Sequence, residues 1–174
     1  MKPLNKFSSD FFDKYKDKPV NLKPYSQDMR ELADKYLGEI RSLLQGGLYE
    51  AALIGSVAYR IPTADVEIAV YADKENWDEI LNILEGRYGR PTNREAEFAR
   101  FEIPGEEYEM DIHVYSGYEG EVSKKLTKFI LENPDLIEKY YGLKEKFSFS
   151  RKEYQRQKND FLNNVIQKIP DDYG

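Results

Sequence analysis

The segment from residue 64 to residue 71 constrains the fold most, because its side chains alternate between two kinds. Successive side chains of a β-strand point to opposite faces of the sheet. The apolar set is Val66, Ile68 and Val70. The opposite face carries the acids Asp65 and Glu67, which a strand holds about 6–7 Å apart at Cα. We therefore predict a strand that packs one face against a core and holds two carboxylates side by side on the other.

The residues before this strand predict a helix and then a short buried strand. Ser26 is a good N-cap, and Gly46-Gly47 supplies the left-handed geometry at which helices commonly end. The apolar residues between them recur every three or four positions and are Met29, Leu32, Ala33, Tyr36, Leu37, Ile40, Leu43 and Leu44. Residues 51–54 form a short apolar run that fits a buried strand and stops at Gly55-Ser56.

The residues after it predict a second helix and a hairpin. Asp73 is the expected N-cap of this helix, and Gly86 is its expected end. Residues 98–103 and 108–115 are typical of the two arms of a hairpin, joined by the turn Pro104-Gly105-Glu106.

From Glu121 onward the pattern is helical. One helix ends at Asn133-Pro134, and the last begins with a capping box from Ser150 to Glu153. We predict an α+β fold in which a small mixed or antiparallel sheet is covered by helices and followed by a C-terminal helical tail. The expected boundaries are an N-terminal arm or short helix at 1–20 and a single domain at 21–174, with its core at 26–118 and its tail at 119–170.

Composition excludes several classes of protein. The 174 residues include one His and no Cys, which excludes a disulfide scaffold, a zinc–thiolate site and a cysteine nucleophile. No stretch approaches the roughly 18 apolar residues of a membrane span, and the first residues lack the apolar run of a signal peptide. We therefore expect a cytoplasmic protein with no membrane segment.

Charge is unevenly distributed along the chain. In total there are 32 acidic and 26 basic residues, a net charge of −6. Residues 1–120 carry 23 acidic and 15 basic side chains, whereas residues 121–174 carry 9 acidic and 11 basic ones. A protein that coats long nucleic acid needs a basic footprint, so we expect no such partner.

A third carboxylate, Asp111, lies on the second arm of the hairpin, on the face opposite Met110 and Ile112. If that arm pairs near the strand of Asp65 and Glu67, three carboxylates converge, and they repel one another unless a cation lies between them. Oxygen ligands without Cys or paired His favour Mg²⁺ or Mn²⁺ over zinc. Two such ions can hold a phosphate and stabilise the attacking and leaving oxygens of an in-line displacement.

The Gly55-Ser56 pair follows a predicted buried strand. A glycine there lets the backbone approach a ligand closely, and the following amides and hydroxyl can hold phosphate oxygens. Taken alone, the pair is also a common turn.

Three stretches together resemble the nucleotidyltransferase superfamily of the DNA polymerase β type. They are Ile54-Gly55-Ser56, Asp65-Val66-Glu67-Ile68 and Met110-Asp111-Ile112. The resemblance implies that Asp65 and Glu67 bind both metal ions, and that Asp111 binds the catalytic metal and helps to deprotonate the acceptor hydroxyl. It also implies that Ser56, next to Gly55, holds the β and γ phosphates, while the α-phosphate is attacked with loss of pyrophosphate.

A narrower resemblance, over residues 20–168, is to the GrpB family of predicted nucleotidyltransferases. The stretches that look like this family are Leu22-Lys23-Pro24-Tyr25, Gly55-Ser56, Asn133-Pro134-Asp135-Leu136 through Leu143-Lys144, and Tyr154 with Lys158 and Phe161. Lys158 is one residue along its helix from the core-facing row, so it could reach over the acids towards a triphosphate.

Two departures from the GrpB pattern affect the expected site. The loop after Gly55-Ser56 is short, residues 57–64, with Arg60 as its sole cation and expected nucleotide contact. The family's later strand usually contains His-x-His, whereas this chain has Asp111-Ile112-His113. His113 is then a lone imidazole, which we expect to hydrogen-bond beside the acids rather than to act as a base.

Simpler interpretations remain open for each of these residues. The acids could be solvated side chains on an open sheet face, and Lys158 could be a surface lysine. Ser56, His113 and Asp111 could form a catalytic triad, although no nucleophile-elbow motif supports one.

The predicted function is Mg²⁺- or Mn²⁺-dependent transfer of a nucleoside monophosphate from an NTP to a hydroxyl acceptor. ATP is the expected NTP, and a homo-oligomer is possible. The alternatives are a catalytically degenerate nucleotide-binding module and a protein-interaction module that uses the aromatic N-terminal arm and the basic tail.

Overall fold

The computed structural model of the chain describes residues 1–4, 9–15, 17–45 and 49–174. The predicted helix end at Gly46-Gly47 and parts of the predicted N-terminal arm lie outside these residues. The strands are β1 (Tyr49–Ile54), β2 (Asp65–Ala72), β3 (Asn93–Arg94), β4 (Phe98–Ile103) and β5 (Glu109–Tyr115). The helices are α1 (Gln27–Leu43), α2 (Gly55–Ala58), α3 (Trp77–Tyr88), α4 (Gly117–Leu131), α5 (Pro134–Phe147) and α6 (Arg151–Lys168), with short 3-10 helices at Ser9–Lys14 and Lys74–Asn76.

The five strands form one mixed sheet in the order β1-β2-β5-β4-β3. β2 and β5 are parallel, whereas β1 with β2, β4 with β5, and β3 with β4 are antiparallel. The predicted α+β class, with a small sheet, covering helices and a helical tail, is confirmed. The parallel β2–β5 pair lies at the centre of the sheet and carries all three candidate acids.

One face of the sheet packs against α1 and α3. α1 begins after Ser26, whose Oγ accepts a hydrogen bond from the backbone N–H of Met29. The predicted alternation of β2 is confirmed on this face. The main core joins α1 and α3 to the residues Val66, Ile68, Val70, Met110, Ile112 and Val114 of β2 and β5. Burying this apolar face of the sheet leaves the acids of β2 and β5 on the opposite face.

The tail helices cover part of the acid-bearing face. The hydroxyl groups of Tyr71 on β2 and Ser123 on α4 lie 3.1 Å apart, within hydrogen-bond distance. A second core, formed by the tail and the loop after α2, contains Tyr59, Ile61, Ile130, Leu136, Tyr140 and Val165. The acid-bearing face is therefore partly enclosed by the tail rather than open to solvent.

The N-terminal segment packs against the tail. The N–H of Val20 donates to the carbonyl of Ser148 at 2.7 Å, and the N–H of Arg151 donates to the carbonyl of Lys18 at 2.7 Å. Lys23 forms an isolated antiparallel bridge with Thr63, just before β2. The residues that lead into α1 are thereby fixed next to the beginning of β2.

Two predicted boundaries of the second helix are wrong. Asp73 precedes a 3-10 turn and makes no side-chain capping bond, so α3 begins only at Trp77. The helix continues through Gly86 and ends at Gly89, whose φ of 82° is favourable only for glycine. A glycine inside a helix costs about 1 kcal/mol relative to alanine, which the packing of this helix offsets.

In the described parts of the chain, every helix is too short or too polar to cross a membrane.

Candidate functional site

The parallel pairing of β2 and β5 brings the predicted acids together. Glu67 lies directly opposite Asp111, and Asp65 lies two residues earlier on the same face of β2. Neighbouring strands are about 4.8 Å apart, so the three carboxylates share one patch. Asp111 is only 3% exposed, and the Glu67 side chain is 14% exposed. Glu67 and Asp111 are therefore not freely solvated acids on an open sheet face, which was the simpler interpretation of the sequence.

Gly55 allows the backbone to approach Glu67. It has a φ of 66°, and a Cβ atom built on it would lie 2.1 Å from Oε2 of Glu67. Any side chain here would collide with the carboxylate in addition to the strain of a left-handed backbone. The glycine at the end of β1 therefore makes room for an acid of the site.

Ser56 and Arg60 both follow Gly55 but occupy different environments. Ser56 is buried in the single turn of α2, where its carbonyl accepts a hydrogen bond from the N–H of Ile61. Arg60 is exposed and adopts a φ of 58°, which is uncommon for a residue with a side chain. Ser56 thus directly follows the glycine that lies against Glu67, whereas Arg60 lies on the surface of the short loop.

Asp65 is stabilised in its ionised form. Burial opposes its ionisation, but the ammonium of Lys158 and a 2.8 Å hydrogen bond from Oγ1 of Thr63 outweigh burial. The pKa of Asp65 is consequently below its ordinary value. This acid is a carboxylate at neutral pH.

Glu67 has the opposite electrostatic environment. Burial, followed by repulsion from Asp65, raises the pKa of Glu67 to about 7. Among the described residues, no side chain donates a hydrogen bond to Glu67. The imidazole nitrogen Nε2 of His113 lies 3.9 Å from Oε1 of Glu67, which is beyond hydrogen-bond distance. No lysine or arginine in the described part of the chain lies within ion-pair distance of Glu67.

Asp111 is held by Arg100, a neighbour on β4. Nη2 of Arg100 lies 2.8 Å from Oδ2 of Asp111. Burial still raises the pKa of Asp111 to about 6, because the ion pair offsets only part of the desolvation. This arginine was not among the predicted site residues.

His113 lies beside the acids on β5. Its Nδ1 is 3.2 Å from the hydroxyl of Tyr115. Burial and the nearby Arg100 lower the pKa of His113 to about 3, so the imidazole is neutral at physiological pH. A group that protonates only near pH 3 is a poor general base, which agrees with the predicted hydrogen-bonding role.

The tail adds two lysines to this face. Lys144 on α5 is 1% exposed, and its Nζ donates a 2.9 Å hydrogen bond to the hydroxyl of Tyr154. Lys158 on α6 is partly buried, and the neighbouring Tyr140, with Glu67 and Asp65, holds the pKa of its ammonium well above the ordinary value. Both ammonium groups favour ionisation of Asp65 and Glu67.

A cleft of about 370 Å³ opens between Asp65 and the tail. Its walls come from the N-terminal segment, the first residues of β2 and β5 with those just before them, and α6. The lining residues are Pro19, Val20, Asn21, Lys23, Ala64, Asp65, Glu107, Glu109, Arg151, Tyr154, Gln155 and Lys158. Among the predicted nucleotide-binding residues, Lys158 lines this cleft, whereas Gly55, Ser56 and Arg60 do not.

The acids fit a hard divalent cation by their chemistry, although their side chains are not arranged around one. All three offer carboxylate oxygens, which suit Mg²⁺ or Mn²⁺, and the raised pKa of Glu67 reflects a charge that a cation would neutralise. In the part of the chain that the structure describes, no group of three or more acidic or histidine side chains stands ready to hold a metal ion. Asp111 is engaged by Arg100 instead.

Sequence reasoning missed Arg100 and Lys144, although each left a signal. Arg100 lies between the buried residues Ala99 and Phe101, so it points to the same face as Asp111 on the paired arm. Lys144 follows Tyr140 by four residues and therefore belongs to the buried row of its helix. Both cations could have been found by following the faces of their elements.

Comparisons with known proteins support the fold. No family model and no curated protein sequence matches the chain. A crystal structure of the conserved protein GrpB from Enterococcus faecalis superposes with a TM-score of 0.67 and 14% sequence identity, covering 84% of this chain and 98% of that chain.

Two nucleotidyltransferase structures share the fold as well. The Cid1 poly(U) polymerase with MgGTP bound matches with a TM-score of 0.50 and 12% identity, over 70% of this chain and 42% of that chain. The GLD-2/RNP-8 complex matches with a TM-score of 0.52 and 13% identity, over 88% of this chain and 60% of that chain. The chain thus spans less than two thirds of these two larger relatives. The chain therefore shares the fold of these three structures, as the sequence motifs predicted.

Proposed function

We propose that this chain is a metal-dependent nucleotidyltransferase that moves a nucleoside monophosphate from an NTP, ATP being the expected donor, to a hydroxyl acceptor. The observation that supports this proposal is the convergence of Asp65, Glu67 and Asp111 on the two central parallel strands, beside the Gly55-Ser56 turn. The acidic charge of the chain favours a small acceptor over long nucleic acid. We further propose that the protein acts in the cytoplasm.

The three acids would hold Mg²⁺ or Mn²⁺, with Asp65 ionised at neutral pH and Glu67 gaining the cation that it lacks. A divalent cation at these oxygens supplies charge neutralisation for the phosphates and activation of the acceptor hydroxyl. Its ligands would come from two adjacent strands, which are rigid supports.

The protein's own groups then act on the nucleotide. Lys158 reaches the cleft beside Asp65, where its ammonium would bind phosphate oxygens. Ser56, next to Gly55, would donate a hydrogen bond from its hydroxyl to the phosphates.

Transfer requires the acceptor hydroxyl to lose a proton. The acceptor oxygen forms a bond to the α-phosphorus while the bond to pyrophosphate breaks, and the hydroxyl proton passes to the carboxylate of Asp111. In the structure the carboxylate of Asp111 forms an ion pair with Arg100. This ion pair must open before Asp111 can take the proton.

The test is pyrophosphate release from NTPs with Mg²⁺ or Mn²⁺ and a panel of hydroxyl acceptors, comparing the wild type with Asp65→Asn. We expect the rate to fall at least about 100-fold, because loss of a group that only orients a metal ligand already costs about 10- to 100-fold and Asp65 would be a ligand itself. Asp34→Asn, an exposed acid on α1, is the control and should leave the rate unchanged. Equal rates for wild type and Asp65→Asn would refute the proposal.

A second candidate is nucleotide binding without transfer. The Arg100–Asp111 ion pair favours it, because a guanidinium occupies the third acid. Calorimetry with NTP and Mg²⁺ separates the two candidates. Tight binding with no pyrophosphate released across the acceptor panel would support the binding module.

A further inference from the structure

Arg100 lies between two carboxylates of unequal burial. Its Nη2 atom is 2.8 Å from Oδ2 of Asp111 and 3.0 Å from Oε1 of Glu102. The Asp111 side chain is 4% exposed, whereas that of Glu102 is 52% exposed. Glu102 and Asp111 are also direct partners in the register of β4 and β5. One guanidinium nitrogen is therefore shared by an inner and an outer acid.

The guanidinium of Arg100 does not form all of its possible hydrogen bonds at Asp111. Nε of Arg100 is buried and has no hydrogen-bond partner among the described residues. An unpaired buried donor is costly, which weakens the binding of the guanidinium at this position. A different nitrogen, Nη2, already contacts Glu102 at 3.0 Å, so the side chain has a second acceptor within reach on its own strand.

A cation at Asp111 competes with any other cation for the same oxygens. The charged groups that act on the Asp111 carboxylate are Arg100, Asp65, Glu67 and Glu102. The tail lysines Lys144 and Lys158 act on Asp65 and Glu67 instead. Arg100 is the cation that acts most strongly on Asp111.

We propose that Arg100 is a built-in counter-ion that competes with a divalent metal for Asp111, and that Glu102 receives the guanidinium when the metal binds. The inference rests on the proposed function, since it assumes a metal at the three acids. Under this proposal the Arg100–Glu102 pair on β4 sets the metal affinity of the site, although neither residue is a metal ligand.

The test is the affinity of the full chain for Mn²⁺ alone, measured by calorimetry or by the Mn²⁺ electron paramagnetic resonance signal under mildly alkaline conditions. Arg100→Met removes the competitor, so Mn²⁺ should bind more tightly, by about 10-fold on the scale of outer groups around metal sites. Glu102→Gln removes the outer acceptor, so Mn²⁺ should bind more weakly, by a similar factor of about 10.

Arg94→Met is the matched control, because Arg94 lies on β3 of the same sheet and pairs with Asp78 away from the acids. It should bind Mn²⁺ as the wild type does. Circular dichroism and thermal unfolding establish that each variant is folded; if Arg100→Met is not, the expected weakening in Glu102→Gln still tests the inference.

Wild-type affinity in a folded Arg100→Met or Glu102→Gln variant would overturn the inference. Asp65→Asn, measured in parallel, isolates the proposed function. If Asp65→Asn does not weaken Mn²⁺ binding, the metal site itself is wrong. If Asp65→Asn weakens binding while the Arg100 and Glu102 variants match the wild type, the competition alone is wrong.

Discussion

Replacing Glu67 with Gln should stabilise the metal-free protein, because Glu67 is ionised at a cost. Its pKa is raised from 4.5 to about 7, first by burial and then by repulsion from Asp65. A folded-state pKa above the unfolded value means that the folded protein holds the proton more tightly. The contribution of Glu67 to the free energy of unfolding therefore falls as pH rises from about 4.5 to about 7.

The size of this cost follows from the same values. At about 1.36 kcal/mol per pKa unit, the penalty grows to about 2 kcal/mol at pH 6 and to about 3 kcal/mol above pH 7. Glutamine has nearly the same shape as glutamate and no charge, so it keeps the packing beside Gly55 and removes the penalty. Near pH 4.5 the two proteins should have similar stability.

Urea unfolding with a metal chelator present, at several pH values between about 5 and 8, measures the difference directly. Glu138→Gln, an exposed glutamate on α5, is the control and should follow the wild type at every pH. The reasoning is refuted if Glu67→Gln is no more stable than the wild type at the upper end of this range, or if its advantage does not grow with pH.

Three further substitutions test other parts of the site. Lys158→Met should weaken NTP binding about 10-fold or more in calorimetry, as expected for a lost charge-assisted contact to phosphate; unchanged affinity would exclude Lys158 from the nucleotide site. Gly55→Ala should destabilise the protein by about 1–3 kcal/mol in urea unfolding, because the new Cβ meets Glu67 at a positive φ; Gly142→Ala, which meets nothing within 4 Å in a helix, should instead be neutral or stabilising. Tyr154→Phe should cost about 1–3 kcal/mol, because it removes the hydrogen bond of a buried ammonium, and a change below about 0.5 kcal/mol would contradict that role.

The central part of the site could be predicted from sequence because it depends on short-range rules. Strand alternation placed Asp65 and Glu67 on one face and Val66 on the other, and the turn at Gly105 set the hairpin that carries Asp111. Each inference needs only the period of a strand or the chemistry of a turn. The fold similarity to GrpB and Cid1 supports the same arrangement of strands.

The end of α3 shows where such rules fail. Gly86 and Gly89 are both acceptable helix ends by residue type, but Tyr88 beyond Gly86 packs against the main core and is the last residue of the helix. Packing that is distant in sequence decided between them. The resulting error was three residues, with no effect on the site.

The cations around the acids were harder to predict, because burial of a positive charge runs against the usual distribution of lysine and arginine. Lys144 is buried only because Tyr154 on the next helix accepts its hydrogen bond. Arg100 is positioned by a partner across the hairpin and by Glu102 on its own strand. Neither partner can be assigned before the packing of the tail and the sheet register are known.

The uneven charge of the chain now has a structural basis in the site. Among the described residues, the cations that act most on the acids are Lys144 and Lys158 from the basic tail and Arg100 on the sheet. Three buried or half-buried carboxylates repel one another strongly without such partners. The tail therefore does more than cover a sheet: its lysines keep Asp65 ionised, while the raised pKa of Glu67 shows that their compensation is incomplete. The remaining deficit of positive charge lies at Glu67, where the proposed function places a divalent cation.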